Sequence, residues 1–258
     1  MLSNQSPDKI NGMKQETHEF LLNLNRDFYD TYAKSFSSTR YSIQPGIRHL
    51  LPQLLVSKNL LDLGCGNGNL AKALLESGFS GRYLGVDNSQ SLLDDAANAI
   101  PEDERDRFTF RQVDLAAQFQ ALPEQHGFDT VACFAVIHHF PVDPHLNRFF
   151  EFATRNLTMG GKYYLSTWQV KNNSRLSTRI QPWSVLENNL QGLSENDLLL
   201  DWRADSSQPP RYRYVHHYNS QTLIEAGLSA GLKLEEEFLS DGKEGDLALY
   251  QVWNKPTI

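Results

Sequence analysis

From His18 to Phe36 the apolar residues Phe20, Leu24, Phe28, Tyr32 and Phe36 recur every four positions, which predicts an amphipathic helix. Pro45-Gly46 opens a second helical pattern running to about Leu55, so residues 1–57 read as an N-terminal helical cap behind a polar start. Beyond Leu60 the period changes. Short apolar runs at 60–63, 82–86, 107–113, 128–134 and 162–168 read as strands. Between them lie a helix through Ala71, Leu74 and Leu75, one from Ser89 to about Ile100, and one at 145–157 closed by Gly160-Gly161. Strand and helix alternating through short joints imply parallel crossovers and a doubly wound sheet.

Residues 170–219 break this rhythm with Asn172-Asn173, Pro182-Trp183 and Pro209-Pro210, and with a weak helical pattern around 184–200. A mixed stretch of that length inside an α/β domain is an insertion, here a lid or binding loop after the fifth strand. Periodicity resumes with a helix at 220–231 and a strand at 232–239. The linker 240–245 is too short for a crossover helix, so the strand at 247–253 must return antiparallel as a hairpin. The expectation is one α/β domain over 1–258: a seven-stranded, mostly parallel sheet with an antiparallel last strand and an insertion after strand five.

Composition narrows this only a little. Of 258 residues, 40% are apolar and 21% charged, and 31 acids outnumber 24 basic side chains for a net charge of −7. That balance argues against broad electrostatic binding to DNA or to a membrane, while leaving room for a local basic patch. Two cysteines, Cys65 and Cys133, are too few for a disulfide framework. The longest apolar run, at 131–137, is too short to span a bilayer, and the polar first residues do not make a secretory signal. A soluble cytoplasmic protein is expected.

The sharpest chemical signal is LLDLGCGNGNL at 60–70. A buried strand reaches Asp62, and Gly64, Gly66 and Gly68 follow before a helix starts. Glycines there permit a tight turn and let a ligand approach the main chain with no Cβ in the way. The G-x-G-x-G spacing differs from the G-x-G-x-x-G of a dinucleotide fold, and the Lys-Ser/Thr ending of a P-loop is missing. An acid beside the turn suits an amino group better than a phosphate. Asp87 closes the second strand, where a carboxylate can accept from ribose hydroxyls. Asp114 follows the third, within reach of an adenine amino group. Three carboxylates at successive strand ends point to a nucleoside with a cationic tail.

These residues resemble the class I S-adenosylmethionine-dependent methyltransferases over about 55–253. The resemblance implies a Rossmann-like sheet of order 3-2-1-4-5-7-6 with strand seven antiparallel, and S-adenosyl-L-methionine as cofactor. It implies that Gly64, Cys65, Gly66 and Gly68 cradle the methionine end beside Asp62. Asp87 with Asn88 would take the ribose, Asp114 with Leu115 the adenine, and Phe134 would line the same pocket.

Two segments narrow the resemblance. FYDTYAKSFSSTR at 28–40 and AVIHHF at 135–140 look like the eukaryotic wobble-uridine tRNA methyltransferases that esterify 5-carboxymethyluridine, as do QPW at 181–183 and RYRYVHHY at 211–218. Arg213 and Val215 interrupt the Arg-Tyr-Tyr-His run of that family. The resemblance implies a tRNA substrate, a small activator subunit, Tyr32 over the cofactor and Arg40 on its carboxylate. Tyr32, Phe36 and Arg40 equally suit a helix that merely caps the sheet.

His138, His139 and Trp168 sit at the ligand-binding ends of strands four and five, where a structural role is the alternative to contact with substrate. Neither His pair carries the ligand set of a metal site. The insertion is close to neutral, with six basic side chains against five acids over 171–213, and Trp183, Trp202, Tyr212, Tyr214 and Tyr218 are interleaved. Such a segment can stack a splayed base and touch phosphates, or serve as an ordinary lid. No base motif follows strand four, which fits a carboxylate acceptor, already ionised at neutral pH. Arg211 or Arg213, with His216, would hold it. The competing expectations are a small carboxylate or phenol as acceptor, and a non-enzymatic protein that only binds the cofactor.

Overall fold

The computed structural model describes residues 9–10, 12–37, 42–116, 127–202 and 210–257. A two-residue ladder, β1 (Lys9–Ile10) with β2 (Met13–Lys14), precedes the cap helices α1 (Gln15–Ser37) and α2 (Pro45–Leu54). The alternating region follows as β3 (Asn59–Leu63), α3 (Asn69–Glu76), β4 (Arg82–Asp87), α4 (Gln90–Asn98), β5 (Phe108–Gln112), β6 (Phe128–Phe134), α5 (Val142–Asn156) and β7 (Leu157–Trp168). The insertion holds α6 (Ser174–Ser177), β8 (Ile180–Gln181), β9 (Asp197–Trp202) and β10 (Arg211–His216). The chain closes with α7 (Ser220–Ser229), β11 (Lys233–Ser240) and β12 (Ala248–Asn254).

The main sheet runs β11-β12-β7-β6-β3-β4-β5. Its five central and right-hand strands pair in parallel, while β12 pairs antiparallel with both β7 and β11. This is the order that the methyltransferase resemblance implies, and β12 returns antiparallel as the short 240–245 linker requires. The direction of winding reverses between β3 and β6, and the crevice above their carboxyl ends is where such sheets take ligands.

Strand periodicity divides the core into two layers. Leu61, Leu63, Val131, Cys133, Tyr163 and Leu165 face α5 and α7. Leu60, Ala132, Tyr164 and Val252 face α2 and α3 on the other side. Leu21 of α1, Met13 and Tyr214 form a third, smaller cluster against the insertion.

Two expected elements came out differently. The helix expected around 184–200 is instead a 3-10 turn at Trp183–Leu186 followed by strand β9. DLLLDW is buried from Asp197 to Asp201 and pairs with β10 in a three-stranded sheet of order β10-β9-β8. Nor do Gly160-Gly161 close α5, which ends at Asn156. They lie within β7, where Gly160 takes φ +74° and its N–H donates to Lys255 O at 2.8 Å.

Polar side chains tie α1 to the insertion: Thr17 Oγ1 accepts from Gln191 N–H at 3.0 Å, and Asn25 makes a denser set of contacts. Buried Asn25 donates to His139 O at 2.8 Å and Tyr214 O at 3.0 Å, and its Oδ1 accepts from Tyr214 N–H at 2.8 Å. It thereby satisfies backbone groups of two separate segments that would otherwise be buried without partners.

Gly227 of α7 marks a tight helix-to-sheet approach, since a Cβ there would sit 2.4 Å from the Trp253 ring. Helix propensity alone would make Gly227→Ala stabilising by about 1 kcal/mol. Overpacking against a buried indole reverses the sign, and a net loss of about 1–3 kcal/mol is expected in urea denaturation. Equal or greater stability of the variant would contradict this packing.

Candidate active site

The loop after β3 is shaped by backbone geometry before any ligand is considered. Gly64, Gly66 and Gly68 take φ of +72°, +55° and +75°, in the left-handed region that side chains with a Cβ resist. Space adds to the requirement at two of them. A Cβ on Gly64 would lie 2.4 Å from Val136 Cγ2, and one on Gly68 would lie 2.8 Å from Ala96 Cβ. Gly66 faces open space. Gly64 N–H and Cys65 N–H both donate to Val86 O, at 2.8 and 3.0 Å, which folds the loop over the end of β4. Cys65 sits above Gly85, and burial pushes its thiol well above the usual range, so it is an inert filler.

The three strand-end carboxylates are each fixed. Asp87 accepts from Gly66 N–H through Oδ2 and from Ser89 N–H through Oδ1, both at 2.9 Å. Asp114 accepts from Ala116 N–H at 2.8 Å and pairs with Arg26 of α1 at 2.8 Å. Asp62 is buried and accepts from the Tyr83 hydroxyl at 2.6 Å. Burial pushes its carboxyl up to about 7, the Tyr83 hydrogen bond opposes the rise, and the charge of Asp87 adds to it.

These groups line one end of a cavity of about 640 Å³, together with Gly64, Cys65, Gly66, Asn88, Leu115 and Phe134. That volume and its mixed lining are typical of small-molecule sites. The other end is built by the insertion and by β7. Trp168, Trp202, Arg213 and the buried Asp201 line it, with Arg175 and Arg179 at more exposed positions. The cavity is therefore acidic at the glycine loop and cationic at the insertion.

Arg213 is the unusual residue. It is 4% exposed, and its guanidinium carbon lies 4.5 Å from the Trp168 ring centre, 5.3 Å from Phe28 and 5.6 Å from Trp202. Its Nε and Nη1 are buried without a hydrogen-bond partner, and no carboxylate pairs with it among the described residues. Three ring faces stabilise a cation by about 0.5–2 kcal/mol each, which does not replace a counter-ion.

Of the substrate candidates, Trp168, His139 and Arg213 line the cavity. The Tyr29 hydroxyl and His139 Nε2 share a 2.6 Å hydrogen bond beside it. His138 does not reach the cavity. It is fully buried beneath Trp168, stacked at 4.5 Å, with Nδ1 accepting from Trp168 N–H at 3.3 Å. His216 points to the opposite face of β10 from Arg213, as a two-residue period requires, and pairs with Asp197 at 2.9 Å. Arg211 shares the face of Arg213, but it lies at the exposed start of the strand, outside the cavity. The side chain of Tyr32 and the whole of Arg40 lie outside the described residues.

Sequence reasoning missed Asn25, Arg26 and Tyr29, all of which line the cavity from α1. One signal was available. Asn25 falls one turn beyond the buried Leu21 on the helix, a polar residue where an apolar one would be expected.

A profile of the methyltransferase domain family matches residues 36–237. Among known proteins, a tRNA (carboxymethyluridine(34)-5-O)-methyltransferase of Xenopus tropicalis is 30% identical over 145 residues, covering 55% of this chain and 20% of that protein. A ubiquinone biosynthesis O-methyltransferase of Coxiella burnetii is 29% identical over 168 residues, covering 63% of this chain and 65% of that enzyme. The match thus spans one fifth of the frog protein and just under two thirds of the bacterial one. A solved complex of the Haloferax volcanii Trm112 methyltransferase activator with a putative methyltransferase aligns at TM-score 0.63 and 18% identity, over 90% of this chain and 98% of that one.

The Asp62 environment has a measurable consequence. The folded protein holds the Asp62 proton up to about pH 7, whereas an unfolded aspartate releases it near pH 4. Stability contributed at this site therefore falls as pH rises from 4 to 7, by up to roughly 4 kcal/mol, and is constant outside that window. Asp62→Asn keeps an acceptor for Tyr83 and removes the titration. Thermal unfolding should show the variant gaining on the wild type between pH 4 and 7; a gap that does not change with pH would contradict the assignment.

Proposed function

The chain belongs to the methyltransferase domain family, and from that premise we propose that it moves a methyl group from S-adenosylmethionine to the carboxylate of a modified wobble uridine in tRNA. The acidic end of the cavity fits the cofactor. Gly66 leaves open space where a ligand can meet the main chain, and Asp87 stands fixed by two N–H groups at the position suited to ribose hydroxyls. Asp62 faces the amino end, and Asp114 with Leu115 faces the adenine. When bound, S-adenosylmethionine supplies a methyl carbon on a sulfonium, open to in-line displacement.

The protein then has to bring an acceptor oxygen into line and exclude water. The observation that carries the carboxylate reading is Arg213, a buried cation with no counter-ion among the described residues, in the same cavity. A carboxylate placed there completes its hydrogen bonding and brings its own negative charge to the reaction. It is already ionised, so no base is needed. Arg213 holds one oxygen and leaves the other to attack. The frog relative is named for the same chemistry on carboxymethyluridine. Residues 170–219 serve as the lid within a single domain over 1–258, the reaction takes place in the cytoplasm, and a small activator of the kind bound to the Haloferax neighbour is the partner to seek.

One observation favours a second reading. The Tyr29–His139 pair, at 2.6 Å beside the cavity, is suited to taking a proton from a phenol, and the Coxiella relative is named as an O-methyltransferase of ubiquinone biosynthesis. The two readings separate when labelled cofactor is offered in parallel to undermodified tRNA and to catechols.

With tRNA as acceptor, Arg213→Gln should lower kcat/KM by about 100-fold, the order expected when a buried charge-assisted contact is lost. Arg213→Lys should recover only part of this, because an ammonium lacks the planar fork. Affinity for S-adenosylhomocysteine should stay within twofold of wild type in both. Label in catechol but not in RNA, or full activity of Arg213→Gln, would sink the carboxylate reading.

A further inference from the structure

Arg213 accounts for one negative charge on the acceptor, yet the insertion turns two more cations toward the same cavity. Arg175 and Arg179 are four residues apart across the short α6 turn, and both line the opening. Arg175 is exposed, and its guanidinium makes no hydrogen bond or ion pair among the described residues. Arg179 reaches Asp201 through one guanidinium nitrogen at 3.4 Å, a long contact, and its side chain is 42% exposed. Arg175 lies in α6 and Arg179 just beyond its end, and both side chains line the same cavity, where two guanidiniums can close on one anion. The carboxylates Asp62, Asp87 and Asp114 are gathered at the opposite end, against the glycine loop. Arg179 already faces the buried Asp201, but a single carboxylate on the acceptor would leave the exposed Arg175 with no anion among the described residues.

We propose that Arg175 and Arg179 form a phosphate subsite at the cavity mouth, which binds the phosphate attached to the acceptor nucleoside while Arg213 holds the carboxylate deeper in. This rests on the carboxylate reading above and extends it: the acceptor is recognised at two anionic points separated by the depth of the cavity. Guanidinium pairs suit phosphate because each offers parallel N–H donors. The insertion thus reads a nucleotide rather than a free carboxylic acid. In a polynucleotide the same subsite takes the phosphodiester flanking a nucleoside that has swung out of its stack, the usual posture for chemistry on a base. Such a contact carries no sequence information. It fixes the register of the strand, so that one nucleoside reaches the methyl group.

The test compares three acceptors at matched cofactor concentration: 5-carboxymethyluridine, its 5′-monophosphate, and a single-stranded anticodon-loop oligonucleotide containing it. Wild type should show a KM at least about tenfold lower for the monophosphate than for the nucleoside, as expected for charge-assisted contacts. In the double variant Arg175→Gln/Arg179→Gln that preference should fall to within twofold of unity. The preference is a ratio measured on one protein, so a general loss of folded enzyme cannot mimic its collapse. Equal KM values in wild type, or a preference that survives the double substitution, would overturn the subsite and leave the carboxylate reading standing. No transfer to any of the three would overturn that reading and the subsite with it. A further gain for the oligonucleotide identifies the phosphate as that of a strand, and parity with the monophosphate identifies it as that of a free nucleotide.

Discussion

A guanidinium buried among three aromatic rings and facing no carboxylate among the described residues is costly, and much of the architecture around β10 holds it in place. Arg213 lies on a strand whose next residue, Tyr214, is clamped at both its N–H and its C=O by Asn25. The Tyr214 hydroxyl donates to Asp197, which also accepts from His216 and from Ser194. These contacts fasten the strand on one face and leave Arg213 on the other, over Trp168. His138 supports Trp168 from beneath. Several buried polar groups thus combine to present to a cavity one cation that no described residue neutralises, and the anionic ligand proposed for it would complete the set.

The same arrangement reconciles an acidic chain with the anionic acceptor proposed for it. A net charge of −7 describes the whole surface, whereas binding is decided by charges within a Debye length of the site, about 8–10 Å at moderate salt. Three of the acids are drawn into the cofactor end and held by N–H donors, a buried hydroxyl or Arg26. The arginines of the insertion occupy the other end. Polarity across one cavity therefore distinguishes a cationic cofactor from an anionic acceptor without requiring a basic protein.

The main sheet was legible because strand and helix periods differ, and because a six-residue linker leaves no room for a crossover. The glycine loop was legible because positive φ and close approach restrict the residue types that fit there. The insertion was not. LLL at 198–200 suits a buried strand or a helix equally until its partner is known, and that partner, β10, lies beyond the intervening 203–209. Among RYRYVHHY, residue type alone could not separate Arg211 from Arg213, or show that His216 faces Asp197; the strand's two-residue alternation and the position of its exposed end decide this. Arg26 and Tyr29 lie on a helix whose apolar stripe dominates the pattern, so their approach to the cavity depends on how the cap docks, which no local signal encodes.

The central claim is that the acceptor atom is a carboxylate oxygen, and the chemical stability of the product tests it most directly. tRNA labelled by the wild-type protein from methyl-tritiated cofactor would be treated with mild alkali. A methyl ester hydrolyses under those conditions, so the account predicts that the label leaves the RNA as volatile methanol and that the nucleoside returns to its carboxylate form. Label that remains on the nucleoside through the same treatment would mean an ether or an N-methyl product, and would contradict the account.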